Sequence, residues 1–596
     1  MLTTTIRSCA AALLLAACSS PPAPTPPPPP PPAPEIAHFD SFAYRGEDSV
    51  YAKLEASADQ YFNPILPGFY PDPSIVRVGE DYYLVNSTFA FFPGLPLFHS
   101  RDLVHWQQIG NAIDRPGQVD FGKLGISRGL FAPAIDHHDG TFAILNTCVD
   151  CGGNFLITAT NPAGPWSDPI WLGFEGIDPS LFFDSDGKAY IVNNGLPEGG
   201  PLYDGHRAIW MQEFDWAAKK LVGPRRMLVN GGTDIRKKPV WIEGPHLFRI
   251  GRWYYLMCAE GGTGDRHSEV IFRSRKAWGP YRSYKANPIL TQRDLDPARP
   301  DPVTSTGHAQ LVYAGWPSRS SAPPARHRHK GRSEPSTRPA NEGWWAVFLA
   351  TRPYADDIYN TGRETFLLPV SWKNGWPVIL KKGKPVPYMA RRPALPAQSG
   401  PAEAGDFERT ETFAAAGTLD PHWLMIRTPH ESWYAISKDG LAITARAEAI
   451  GGDGQPSFIG RRQQHGWMEA SAGMRFDAHT DGARAGLVAF QNSDYFYFLD
   501  LVREQGTESV CVTKRAGVSD PEQGAVVACA PVTLGPDANI DLKIVARGAA
   551  YDFAYATAPG QWTTLVRDAD GTILSTKKAG GFVGTIIGMY AFTPQK

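Results

Sequence analysis

Between Asn63 and Arg352 the apolar positions recur with a period of two, and Gly and Pro interrupt them every few residues. This pattern predicts strands and turns and leaves no convincing amphipathic helix. Five stretches repeat one theme: YPDPSIVRVGEDYYLVNS from Tyr70, FAPAIDHHDGTFAILNT from Phe131, IDPSLFFDSDGKAYIVNN from Ile177, EGPHLFRIGRWYYLMCA from Glu243, and GHAQLVYAGW from Gly307, which resumes as GWWAVFLATR. Each opens on a small or acidic residue, often next to Pro, runs into an alternating apolar strand, turns at Gly or Asp, and returns through a strand rich in Tyr and Trp. That is the signature of a hairpin. The openings at Asp72, Phe131, Asp178, Glu243 and Gly307 lie roughly fifty to sixty-five residues apart, which suits four-stranded propeller blades with long loops. A five-bladed β-propeller over residues 60–395 is expected.

Beyond the Pro-rich crossing from Pro393 to Pro401 the strands continue without the blade theme, as in GLVAFQNSDYFYFLDLV from Gly486 and IDLKIVARGAAYDFAYA from Ile540. They predict a β-sandwich over 403–596, making the chain all-β with two domains. The direct join to the propeller points to a packed accessory domain rather than an independent binding module. Within the fifth repeat, residues 315–340 are rich in Pro, Ser and Arg and too poor in apolar residues to fold, so a disordered surface insertion is expected; a sequence error there is the other reading. The triplet His327, Arg328 and His329 in this cationic stretch makes a poor metal cage.

A length of 596 residues, with 42% apolar and 20% charged, fits a well-cored chain of two domains. The formal net charge of -2 offers no basic field for a phosphate backbone, so nucleic acid is not an expected partner. A neutral substrate fits better. At the N-terminus, Arg7 precedes a short apolar run ending Leu15-Ala16-Ala17-Cys18, which reads as an export signal over 1–18. The run resembles a bacterial lipobox with Cys18 as the lipidated residue; an ordinary signal peptide with an incidental Cys is the alternative. Residues 19–50 are assigned to a Pro-rich linker that would hold the folded domains off a membrane. The expected location is the bacterial cell envelope, at the outer membrane or the periplasmic face. Export permits disulfides, so Cys148 with Cys151 and Cys511 with Cys529 are candidate pairs, leaving Cys258 free; zinc at Cys148 and Cys151 lacks a second pair of ligands.

Asp72, Asp178 and Glu243 stand in matching phase of the repeat, and in a propeller equivalent positions converge near the central axis. A single Asp-Pro, such as Asp168-Pro169, commonly only opens a turn. Three acids in phase point instead to acid and base chemistry on a glycosidic bond.

The motifs NPILPGFYPDPS from Asn63, GIDPSLFF from Gly176, WIEGPHLF from Trp241, GHAQLV from Gly307 and GRETFLLPVSW from Gly362 together resemble glycoside hydrolase family 43, in its β-xylosidase and α-L-arabinofuranosidase branch. The resemblance runs from Asn63 onward and implies an inverting hydrolase of plant cell-wall oligosaccharides or polysaccharides that requires no cofactor. It assigns Asp72 as general base, Glu243 as general acid and Asp178 as the carboxylate that tunes and orients the acid. It also implies Arg363 at the sugar hydroxyls, with an ion pair to Glu364 as its structural alternative. His308 falls in the central channel, where some relatives hold a calcium ion or a water. His267, near Glu243, reads as a satisfied core histidine. Phe89, Phe91 and Phe92 border the sugar site by resemblance, and Phe131 stands where relatives often carry Trp. The segment from Ser457 to His465 resembles a sandwich loop that closes the pocket, with Phe458 as its contact. An exo-acting β-xylosidase is the leading expectation, with α-L-arabinofuranosidase or dual activity next. A retaining fructan-cleaving propeller lacks its N-terminal motif here, and a non-catalytic glycan-binding lipoprotein would not need all three carboxylates.

Overall fold

A computed structural model describes residues 34–315, 343–400, 403–415, 417–535 and 538–595. The export segment, Cys18, most of the Pro-rich run and the insertion expected at 315–340 therefore lie almost wholly outside the described residues.

Four antiparallel sheets and a fifth, composite one radiate from an axis, each beginning with an inner strand: Ser74–Val78, Ala134–His138, Ile177–Phe183, Glu243–Ile250 and Thr304–Tyr313. Each inner strand packs against the next, and Thr304–Tyr313 returns to Ser74–Val78 to close the ring. Ser74 fastens the closure. Its hydroxyl donates to Gln310 Oε1 at 2.7 Å and accepts the Ile135 amide at 2.9 Å, so one side chain joins three blades. In the fifth blade Thr304–Tyr313, Trp344–Thr351 and Glu364–Pro369 pair in order, with Tyr313 opposite Trp344. The N-terminal segment completes this blade. Ile65 and Leu66 exchange backbone hydrogen bonds with Thr365, and the Asn63 side chain donates to the Leu367 carbonyl and accepts from the Leu367 amide. A chain that lends residues from both ends to one blade removes a free sheet edge.

The C-terminal domain is a sandwich of an eight-stranded and a six-stranded antiparallel sheet over one apolar core. One of its strands corrects the sequence assignment. Residues Ile36–Gly46, placed in the linker above, form a strand lying between Gly440–Thr444 and Trp467–Phe476, with Ala37, Phe39, Phe42 and Tyr44 fully buried. The reason is a break in pairing between Phe39 and Ser41, which shifts the inward phase from odd to even residues and hides the alternation.

Disulfides join Cys148 to Cys151 and Cys511 to Cys529, and Cys258 is buried and free. Sandwich and propeller meet over buried charge: Arg352 donates to Glu364 at 2.6 and 2.8 Å and to Asp48 at 2.6 Å, and also reaches the Gln464 carbonyl.

Candidate active site

The carboxylates sit where the inner strands begin. Asp72 (φ +52°) and Asp178 (φ +53°) are held in left-handed backbone beside prolines, and Glu243 is the first residue of its strand. Left-handed conformations at non-glycine residues cost free energy and persist where surroundings fix them. Gly244 (φ +54°) follows Glu243, and a Cβ there would lie 2.9 Å from the His308 ring, so glycine is needed for the histidine to approach.

Asp72 is the most heavily bonded of the three. Arg363 Nη1 donates to its Oδ1 at 2.8 Å, Ser87 Oγ donates to its Oδ2 at 2.5 Å, and His308 Nδ1 lies 3.7 Å away. Burial would raise the Asp72 pKa, but Arg363, His308 and Ser87 together bring it below the ordinary value. Burial prevails at Asp178: against the pull of His308, and helped by the charge of Asp72, it pushes this carboxyl up to about 6. Asp178 Oδ2 accepts the Gly244 amide at 3.1 Å, which ties it to the strand that carries Glu243. Glu243 has no side-chain hydrogen bond among the described residues. Burial first, then the charges of Asp178 and Asp72, raise its pKa well above the carboxylate range. The site thus pairs a carboxyl whose ionised form is favoured, Asp72, with one whose protonated form is favoured, Glu243.

Arg363 does not pair with Glu364. Glu364 is taken by Arg352 and the Gly68 amide, which leaves Arg363 for Asp72, with its buried Nε unpartnered. His308 is buried and faces Asp72, and Glu269, a fully buried acid, accepts the Ala309 amide at 2.9 Å to hold that backbone. Among the described residues no three His, Cys, Asp or Glu side chains are grouped as metal ligands, and the partner that His308 faces is Asp72. His267 is buried and its Nδ1 donates to the Ser305 carbonyl at 2.9 Å; burial lowers its pKa to about 4, so it is neutral, as a core histidine should be.

Two aromatics flank Arg363, and a third packs on them. Phe89 stacks on Phe582 with centroids 5.7 Å apart, Phe131 meets both edge to face, and the guanidinium lies 5.7 Å from the Phe89 and Phe582 rings. Two expectations are corrected here. Phe92 belongs to the core, because Phe91–Phe92 is a short strand paired with Met425–Ile426 of the sandwich. Phe458 is fully buried in the sandwich, on a strand paired with residues 586–592 and packed against Phe490. The segment after it does reach the propeller, through Arg462 on the Phe69 carbonyl and Gln464 on the Pro67 carbonyl.

Residues 61–316 match the model of glycosyl hydrolases family 43, and residues 410–596 match that of the beta xylosidase C-terminal concanavalin A-like domain. A xylosidase/arabinosidase of Butyrivibrio fibrisolvens is 36% identical over 540 residues, which cover 89% of this chain and 95% of the relative. The chain belongs to glycoside hydrolase family 43. A non-reducing end α-L-arabinofuranosidase of Bacteroides ovatus is 34% identical, with 91% of this chain and 93% of the relative covered. The crystal structure of a GH43_12 protein from a capybara gut metagenome superposes with a TM-score of 0.83 at 40% identity, covering 93% of this chain and 99% of that one.

In this family 43 enzyme the sandwich residue at the site is Phe582, which the sequence reading missed. It lies in AGGFVG; its amide donates to Ser127 Oγ at 2.8 Å, and Gly584 packs so closely on Thr361 and Gly362 that a Cβ would lie within 2.9 Å of their backbone. A phenylalanine between glycines, ahead of a strand, was the available signal. Phe582→Ala should raise KM for small pentosides roughly tenfold while the melting temperature barely moves, since it deletes one partly exposed aromatic contact. Phe458→Ala should behave oppositely, losing about 3–5 kcal/mol of stability by opening a core cavity, with KM of the folded fraction unchanged. Thermal melts beside steady-state kinetics separate the two.

Proposed function

We propose that this enzyme is an inverting, exo-acting hydrolase that releases terminal β-D-xylose from xylo-oligosaccharides or xylan side chains. The observation that carries the reading is the opposed electrostatics of Asp72 and Glu243 around one axial site. Asp72 takes a proton from water, the water oxygen bonds to the anomeric carbon, and Glu243 protonates the departing glycosidic oxygen as the glycosidic bond breaks. Burial and then the charge of Asp178 favour the protonated form of Glu243, and Asp178 orients it through Gly244. Arg363, held beside Asp72 and flanked by the Phe89 and Phe582 rings, supports a role in holding the sugar. Phe582, brought in by the sandwich, supports a pocket for a chain end rather than a cleft for mid-chain cutting.

Release of α-L-arabinofuranose, alone or alongside xylose, is the second reading. It is favoured by the similarity to the Bacteroides ovatus relative, a non-reducing end α-L-arabinofuranosidase. The lipobox-like ending at Cys18 supports anchorage of the enzyme by lipid in the bacterial envelope. Loss of acyl label in Cys18→Ala would support that anchor, and retained label would remove it.

Nitrophenyl β-D-xylopyranoside and α-L-arabinofuranoside, offered in parallel and followed by NMR, test the reading. The sugar first formed should have the opposite anomeric configuration to the substrate, and the ratio of the two rates identifies the pentose. A first product of unchanged configuration would overturn the inverting mechanism.

A further inference from the structure

Two loops flank Glu243 on the catalytic face of the propeller, residues 196–207 after the strand Ala189–Gly195 and residues 231–242 before the strand Glu243–Ile250. They are tied into one wall. Tyr203 donates to the Pro239 carbonyl at 2.9 Å, the Trp241 amide donates to the Gly205 carbonyl at 2.8 Å, and the Gly231 amide donates to the Arg207 carbonyl at 3.0 Å. On this wall the Arg207 guanidinium lies over the Trp241 ring, 4.1 Å from its centroid. Among the described residues it has neither a carboxylate partner nor a hydrogen-bond acceptor. Stacking on an aromatic face fixes a guanidinium without using its N–H groups, so a rigid, half-buried fork of donors is left facing outward. Leu196, Leu202 and Val240 are exposed on the same two loops. No requirement of the fold explains so much apolar surface beside an unpaired cation, whereas the two faces of a sugar ring would match it.

We propose that Arg207, seated on Trp241, binds the sugar unit from which the pentose is released, donating to its hydroxyl oxygens while the exposed aliphatic side chains meet its C–H face. This rests on the reading of Glu243 as the acid, because the group that protonates the glycosidic oxygen must sit at the join between released and departing units. The charges acting on Glu243 are those of Asp178, Asp72, Arg363 and Arg207, and Arg207 lowers its pKa. The same guanidinium therefore has a second readout. Removing it should raise the Glu243 pKa and carry the basic limb of the pH profile to higher pH.

Arg207→Met is compared with the unaltered enzyme on a nitrophenyl pentoside, whose leaving group has no hydroxyls to bind, and on an oligosaccharide ending in the same pentose. The expected result is a loss of roughly 10- to 100-fold in kcat/KM on the oligosaccharide, as for a lost hydrogen bond to a charged group, and less than about threefold on the nitrophenyl substrate. Arg207→Lys should keep the pH limb in place and recover only part of the oligosaccharide rate. Equal losses on both substrates, or none on either, would overturn the proposal. If the unaltered protein hydrolyses neither substrate, it is the proposed function that fails. Calorimetric titration of the oligosaccharide into the Arg207→Met and unaltered proteins then decides this point: weaker binding in the variant upholds the assignment, and equal binding removes it.

Discussion

Glu243→Ala is expected to lower kcat on xylo-oligosaccharides by roughly 10²- to 10⁴-fold, the usual contribution of a positioned general acid. The loss should shrink to within about tenfold on a dinitrophenyl xyloside, whose leaving group departs without a proton. The basic limb of the pH profile should vanish with the side chain. Its sign follows from the site: Glu243 acts protonated, and burial with the charges of Asp178 and Asp72 keeps it so above the ordinary carboxylate range. Activity is therefore lost as pH rises through its pKa. An equal loss on both leaving groups would show that Glu243 is not the proton donor.

Asp72→Asn should cost as much, roughly 10²- to 10⁴-fold, but independently of the leaving group, because the base acts on water. Arg363, Ser87 and His308 hold Asp72 ionised, so the acid limb it controls lies below the ordinary carboxylate range and activity falls as pH drops through it. The substitution also leaves the buried Arg363 without its counter-charge. Complete loss of a buried partner costs about 3–5 kcal/mol, and the amide oxygen of Asn retains part of the contact, so a lower melting temperature accompanies the kinetic loss. An unchanged rate in a well-folded variant would remove Asp72 from the chemistry.

The carboxylates were legible because a repeat converts sequence phase into spatial convergence, and Asp178 and Glu243 stand second and first in their inner strands. The partner of Arg363 was not legible. Whether its guanidinium turns to the adjacent Glu364 or to Asp72 depends on Arg352, which claims Glu364 from a neighbouring strand. Phe458 was misplaced for a related reason. A motif locates a segment at an interface but does not say which way one ring points, and pairing with residues 586–592 sends this one into the core. Phe582 and Arg207 lie in loops without periodicity, where only folding brings a side chain to the site.

The strand Ile36–Gly46 sits between Gly440–Thr444 and Trp467–Phe476, so in chain order the whole propeller is an insertion within the sandwich. A fragment cut at the Pro-rich crossing would carry an open slot in one sheet, with two rows of unpaired amides and carbonyls ready to recruit another chain. Such a fragment should aggregate rather than fold, and grafting a sandwich of this design onto another catalytic domain would require transplanting both ends of the chain together.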